Sequence, residues 1–276
     1  TGTETLIIAA STATGTTIIK NADEESEIDD LIAFLNSMGA KINRSGYREI
    51  TIDCVEKLHG TTYSIMSDSN EVVTWAILAA LSGGEIKITK VNPEPIKIFL
   101  EKFKEAGGNW EANADEYRLY VSDIKALSIQ TGIYPGFMTD WQGPWALFET
   151  QGRGVSVIHE TIYENRFGYV SELKKMGAKI KFFTPEVDNP SEFYNFNIEN
   201  GKSPENQAIE ISGPTTLHDA IVKVTDLRAG ATLVLAALIA KGKTIIYGVE
   251  QIERGYEDFA GRLAMLGADI EVIEEA

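Results

Sequence analysis

A two-part phrase recurs four times along these 276 residues, and it constrains the fold more than any other feature. In its first half an apolar helical run closes on glycine and a short strand follows: Gly15-Thr-Thr-Ile18-Ile19, Gly84-Glu-Ile86-Lys-Ile88, Gly154-Val-Ser-Val157-Ile158 and Gly242-Lys-Thr-Ile245-Ile246. In its second half another helix ends in a small-residue turn: Met38-Gly39-Ala40-Lys-Ile42, Ala106-Gly107-Gly108-Asn-Trp110, Met176-Gly177-Ala178-Lys-Ile180 and Leu266-Gly267-Ala268-Asp-Ile270. The turn glycines stand 68, 70 and 90 residues apart, too far for a solenoid unit of roughly 20–50 residues. Each repeat is a whole βαβ-type module.

Both glycine sets have a local cause. A helix C-terminus favours a residue that tolerates the left-handed conformation, and Gly15, Gly84, Gly154 and Gly242 are read as such caps. The second set is expected to close helices such as 28–38, where Ile28, Leu31, Ile32 and Leu35 form one stripe at helical spacing. Short strands rich in β-branched residues follow the glycines, so helices and strands alternate. That pattern implies an α/β architecture with helix faces packed on sheets.

Composition sets limits. A formal charge of −16 argues against nucleic acid or an anionic membrane as partner, because both require a basic face. No apolar run reaches the ~20 residues that span a bilayer, and the start lacks the basic region of a signal peptide. The chain is expected to be cytoplasmic. It begins Thr1-Gly2-Thr3-Glu4 without an initiator methionine and is read as a fragment or processed form. The single cysteine excludes an internal disulfide. Cys54 sits in a strand pattern and is expected to be a small core hydrophobe. His59, His159 and His218 lack metal-ligand spacing, and no metal or cofactor is expected.

What the modules do not share points to chemistry. The third opens on Thr131-Gly132-Ile-Tyr-Pro135-Gly136-Phe137-Met138-Thr139-Asp140-Trp141-Gln142, a shaped loop carrying an acid. The fourth opens on Val224-Thr225-Asp226-Leu227-Arg228-Ala229-Gly230, where Asp226 is equally readable as a helix N-cap. Arginine is scarce, with eight in the chain, yet Arg166, Arg228 and Arg254 all fall at module-element ends. Guanidinium groups bind carboxylate and phosphate through paired hydrogen bonds, and helix N-termini at the same edge would add amide donors. An anionic ligand held near one or two carboxylates is the expectation; the plain alternative is three minor surface ion pairs.

The runs Thr131–Gln142, Glu160–Phe167, Thr225–Gly230 and Arg254–Glu257, in this order with Met-Gly-Ala turns between, resemble the UDP-N-acetylglucosamine 1-carboxyvinyltransferases. The resemblance covers the whole chain apart from a segment near 181–207. It implies the enolpyruvyl transferase fold, an inside-out α/β barrel of six modules in two domains. Residues 1–66 would be the third module of the first domain and 67–276 the three modules of the second, with an insertion at about 181–207. The two N-terminal modules, with their lysine and reactive loop cysteine, have no counterpart here, and Cys54 does not match that cysteine.

The implied reaction transfers enolpyruvyl from phosphoenolpyruvate to the 3′-hydroxyl of UDP-N-acetylglucosamine with release of phosphate, the first committed step of peptidoglycan synthesis. Both substrates are the implied partners. The resemblance assigns catalytic roles to Asp140, Asp226, Arg228 and Arg254, and substrate contacts to Thr139, Asp140, Ile162 and Arg166. Ile162 is expected to act through its main chain. The family's D-R-I-E-x-G-T reads Asp68-Ser69-Asn70-Glu71-Val72-Val73-Thr74 here, which puts one cleft contact in doubt. As half a catalytic site, the chain is expected to be inactive alone. A non-catalytic scaffold of the same fold, or a transferase for another acceptor such as shikimate 3-phosphate, are the alternatives. The segment 181–207 is read as a surface loop.

Overall fold

The computed structural model describes residues 2–113, 116–198 and 204–273. Packing divides the chain into two compact units, Thr1–Asp68 with Asn92–Pro95, and Ser69–Val91 with Ile96–Ala276. In the first unit, helix α1 (Gly2–Ala10) precedes strand β1 (Thr16–Lys20), helix α2 (Ser26–Ser37) and strands β2 (Lys41–Gly46) and β3 (Glu49–Asp53). The predicted stripe on α2 is the buried one. Ile28 and Leu35 are enclosed, with Leu31 and Ile32 against the same cluster as Ile7, Ile19, Ile42, Ile50 and Ile52.

The second unit repeats the scheme. Its first module holds α3 (Ser69–Ser82), β4 (Glu85–Thr89), α4 (Lys97–Glu105), β5 (Gly108–Asn113) and β6 (Glu116–Val121). Next come β7 (Ile129–Gln130), α5 (Gln142–Glu149), β8 (Gly154–His159), α6 (Gly168–Lys175), β9 (Lys179–Phe183), α7 (Pro190–Phe193) and β10 (Ala208–Gly213). The last module holds β11 (Ile221–Lys223), α8 (Leu227–Ile239), β12 (Ile245–Tyr247) and α9 (Phe259–Met265).

The sheets refine the expected βαβ unit. Strand orders are β1-β3-β2, β4-β6-β5 and β7-β8-β10-β9, and the strand between the two that flank the helix is antiparallel to both. Each of these modules is therefore βαββ, with its last strand slotted between the first two. Among the described residues the sheets stay short and separate, and none closes into a barrel. The fourth module has only the parallel pair β11–β12, and residues 268–273, where Ile270 was expected in a strand, belong to none. In the other modules the second strand is held by the third, and among the described residues none follows here.

The turn glycines behave alike: Gly39, Gly107, Gly177 and Gly267 have φ of 96°, 96°, 96° and 97°, a region L side chains avoid. Two carry a histidine roof. A Cβ on Gly39 would come within 3.0 Å of His59 Nε2, and one on Gly177 within 3.1 Å of His218 Nε2. The amides of these histidines donate to the Met38 and Met176 carbonyls. The cap reading of the other glycine set is corrected: Gly15, Gly154 and Gly242 have positive φ but stand past the ends of α1, α5 and α8, where they turn the chain into the next strand. At α3, which ends at Ser82, Gly83 rather than Gly84 takes the left-handed conformation. Cys54 is also corrected, being exposed rather than a core hydrophobe. Ile50 and Ile52 face inward, but β3 stops at Asp53, so the alternation ends before reaching it.

Part of the presumed surface loop is anchored. Tyr194 is buried, and its hydroxyl shares a 3.0 Å hydrogen bond with His159 Nε2. The Asn195 amide donates to the Thr161 carbonyl, and Gln207 Nε2 donates to that of Tyr163. Residues 199–203 of the segment lie outside the described residues.

Helices α3, α5 and α8 pack against one another at the centre of the second unit. All eight residues of α5 are buried. At Gly143 a Cβ would meet Thr232 Oγ1 of α8 at 2.7 Å, so only glycine permits this approach. At the far end of α5, Glu149 is buried and accepts the Leu127 amide at 3.0 Å. Burial pushes its carboxyl up to about 7 from an ordinary 4.5, against the lowering effect of that amide. A carboxyl raised by folding favours the native state while protonated. Its contribution is fully present below the unfolded value and is lost as pH rises through about 7. We predict a loss of stability from this group between pH 5 and 8 on the order of 3 kcal/mol. The variant Glu149→Gln should be more stable than the parent at pH 8 and lose most of that advantage at pH 5, as read by denaturant titration at both pH values.

Candidate functional site

The N-terminal ends of α3, α5 and α8 are tied to one another by side chains. Trp141, buried in a ring cluster with Phe99, Phe137 and Trp145, donates through Nε1 to Asn70 Oδ1 at 2.9 Å. Thr74 of α3 donates to the Asn70 carbonyl, and its oxygen lies 2.8 Å from the Tyr256 hydroxyl. With the Thr74 proton so used, Tyr256 donates to Thr74 and accepts from Arg228 Nη1 at 3.3 Å. The Arg228 guanidinium also lies 5.7 Å from the Tyr256 ring centre. Within the altered stretch 68–74, Glu71 accepts from Trp75 Nε1 and pairs with Arg262 at 2.7 Å. Three helix starts gathered in this way bring the positive ends of three dipoles together.

Onto this platform the structure brings most of the predicted residues. Asp140 sits in a 3-10 turn, Thr139–Trp141, just ahead of α5. Its Oδ1 accepts a hydrogen bond from Arg166 Nη2 and lies 3.6 Å from Arg228 Nε. Among the described residues no hydrogen bond is made to Oδ2. Both arginines are partly buried, and Arg166 also lies 5.2 Å from the Tyr163 ring centre. Gln142 fixes the other side of Arg166: its Nε2 reaches the Arg166 carbonyl at 3.5 Å while Oε1 accepts from Tyr169 at 2.6 Å. Burial, reinforced by the charges of Glu160 and Asp226, raises the Tyr169 phenol well above 10 and keeps it a donor.

Thr139 and Ile162 meet through a residue the sequence reading did not select. Glu160 is fully enclosed and accepts from Thr131 Oγ1 (3.0 Å), Thr139 Oγ1 (2.8 Å), the Ile162 amide (2.6 Å) and the Tyr163 amide (3.1 Å). Since the Ile162 amide is occupied, the main-chain group it can offer a ligand is its carbonyl. The sequence signal for Glu160 was an acid directly after the apolar strand β8.

Two predicted residues stand differently. Asp226 is the N-cap of α8, its Oδ1 accepting the amides of Arg228 and Ala229 at 3.0 and 2.9 Å. It positions the helix that carries Arg228. Arg254 is exposed and donates to Gln251 three residues back, outside the Asp140 cluster. Among the described residues no cluster of His, Cys, Asp and Glu suits a metal, and no helix is long and apolar enough to cross a membrane.

The profile of EPSP synthase (3-phosphoshikimate 1-carboxyvinyltransferase) matches residues 1–263. The chain belongs to the EPSP synthase family. Within it, similar relatives are UDP-N-acetylglucosamine 1-carboxyvinyltransferase 2 of Streptococcus mutans, 43% identical over 98% of this chain, and that of Symbiobacterium thermophilum, 40% identical over 97%. This chain spans 59% and 58% of their respective lengths. Among solved structures, the enolpyruvyl transferase NikO from Streptomyces tendae superposes with a TM-score of 0.79 at 25% identity, over 97% of this chain and 59% of that one. EPSP synthase from Acinetobacter baumannii shares the fold, with a TM-score of 0.66 at 18% identity, over 98% of this chain and 60% of its own.

The relay from Thr74 through Tyr256 to Arg228 is testable without substrate. A double-mutant cycle of Thr74→Val and Tyr256→Phe, read by chemical denaturation, should give a coupling of about 0.5–1.5 kcal/mol. Additive effects would show that the two hydroxyls do not interact.

Proposed function

We propose that this chain is the larger part of an enolpyruvyl transferase that moves the enolpyruvyl group of phosphoenolpyruvate to the 3′-hydroxyl of UDP-N-acetylglucosamine, releasing phosphate, in peptidoglycan synthesis in the cytoplasm. The observation that supports it most is the cluster of Asp140, Arg166 and Arg228 at the gathered helix starts. Relatives bearing that enzyme's name match almost the whole chain at about 40% identity.

The geometry divides the labour of Asp140. Oδ1 is committed to the two arginines, which fix the carboxylate. Oδ2 is the oxygen that takes the acceptor hydroxyl's hydrogen bond, and then its proton as the new C–O bond forms. Thr139 holds the turn, and the Ile162 carbonyl contacts the nucleotide-sugar. Arg228, at the positive end of α8, faces the phosphate and carboxylate of phosphoenolpyruvate. Arg254 joins them only after a rearrangement of its turn, since it rests on Gln251. Asp226 serves as cap and orienting group. The proton donor for the methylene carbon, and further cations around phosphate, are assigned to the part of the relatives' length that this chain does not span. The family profile's own name keeps shikimate 3-phosphate as a second acceptor to be compared.

The test is a phosphate-release assay with both substrates at millimolar levels. The 276-residue chain should release no phosphate but bind UDP-N-acetylglucosamine weakly by calorimetry. It should bind shikimate 3-phosphate more weakly still, and Asp140→Asn should abolish the nucleotide-sugar binding. Placed in a protein of the relatives' full length, Asp140→Asn should lower turnover at least ~100-fold. Ile162→Val should leave the nucleotide-sugar KM nearly unchanged, and Arg254→Lys should weaken phosphoenolpyruvate binding. Turnover unaffected by Asp140→Asn would remove it from the mechanism.

A further inference from the structure

Glu160 is a buried carboxylate held by two hydroxyls and two amides, none of them charged, an arrangement that proteins make at a cost. Its four donors lie in two segments. Thr131 and Thr139 open and close the loop that leads to α5, whereas Ile162 and Tyr163 belong to the turn after β8. A second set of bonds joins the same segments: the Thr161 amide donates to Thr131 Oγ1 at 2.8 Å, and Thr161 Oγ1 donates to the Thr131 carbonyl at 2.7 Å. Of these contacts Thr139 is the one adjacent in sequence to Asp140, and the Tyr163 amide belongs to the same peptide unit as the Ile162 carbonyl that faces the ligand.

Neither segment is held by a long ladder. Strand β7 has two residues, and α5 begins only at Gln142. The core of the unit does not require a charge at this position, because the strand beneath it already buries Ile158 and pairs with β10. What the carboxylate adds is a fixed distance between two loops.

We propose that Glu160 is a positioning residue for enolpyruvyl transfer: by accepting from both loops at once, it sets the spacing between the Asp140 carboxylate and the Ile162 carbonyl that grips the acceptor sugar. This rests on the reading of Asp140 and Ile162 as acceptor-facing. The clamp itself is a property of the folded chain and is measurable without ligand. Oε1 takes three donors and Oε2 one, so Glu160→Gln can keep the first set with its oxygen while its amide donates to the Thr139 hydroxyl, reversing one bond. Glu160→Ala removes all four.

The experiment is hydrogen exchange by mass spectrometry on the 276-residue chain, with calorimetric titration of UDP-N-acetylglucosamine alongside. In Glu160→Ala, peptides covering 131–142 and 160–167 should exchange faster together, by about tenfold or more, while those of α8 and β10 stay as in the parent. Nucleotide-sugar affinity should fall by at least about tenfold with the loops misplaced, and Glu160→Gln should restore both readouts to within about threefold. If Glu160→Ala does not fold, Thr139→Val, which deletes only the donor on Oε2, should still raise exchange in both segments. Faster exchange confined to one segment, or none with affinity unchanged, overturns the clamp. A parent chain that binds no nucleotide-sugar overturns the functional reading instead, and the exchange data still decide on Glu160.

Discussion

A helix with no face toward water must satisfy its terminal polar groups within the protein, and α5 is such a helix. Packed between α3 and α8, it starts from its own 3-10 turn, where the Gln142 amide donates to the Thr139 carbonyl, among the starts of its neighbours. The Asn70 contact from Trp141 and the Thr74–Tyr256–Arg228 relay tie those starts together, and Asp226 caps the first turn of α8. The chemistry grows from the same constraint. Where three positive helix ends meet, an anion is welcome and a lone aspartate needs arginines to hold it. Asp140 has two, both on one oxygen.

The modular fold was legible because glycine and periodicity act locally. The four turn glycines could be found by eye, and their φ values agree within a degree. The stripe on α2 followed from spacing alone. The slotting of β3, β6 and β10 between earlier strands was not legible, since an antiparallel partner arriving late in the chain leaves no mark on the helix it bypasses. Gly83 against Gly84 turned on where α3 stops, and Cys54 on where β3 stops. Element ends are the places where pattern reasoning is weakest.

The candidate site divides the same way. Asp140, Arg166 and Arg228 were visible as chemistry-bearing residues in unshared segments, and the structure gathers them. Glu160, Gln142 and Tyr256 were not, because nothing in a one-dimensional run tells a buried acceptor of four bonds from a solvated acid. Asp226 shows the converse. Its setting before a helix permitted two readings, and its oxygens are spent on the amides of its own helix. Arg254 had the right neighbours in sequence but rests on Gln251.

The uniform glycine joint bears on how such a chain tolerates change. Each joint is closed inside its own repeat, by a left-handed residue and, at Gly39 and Gly177, by a histidine from the end of the same module. A lesion there stays in its own repeat instead of propagating along the chain. Intolerance of any side chain at the joint should recur like the marks on a ruler, at 39, 107, 177 and 267. The last mark has no atom within 4 Å of a would-be Cβ, so it isolates what backbone handedness alone demands of a single residue.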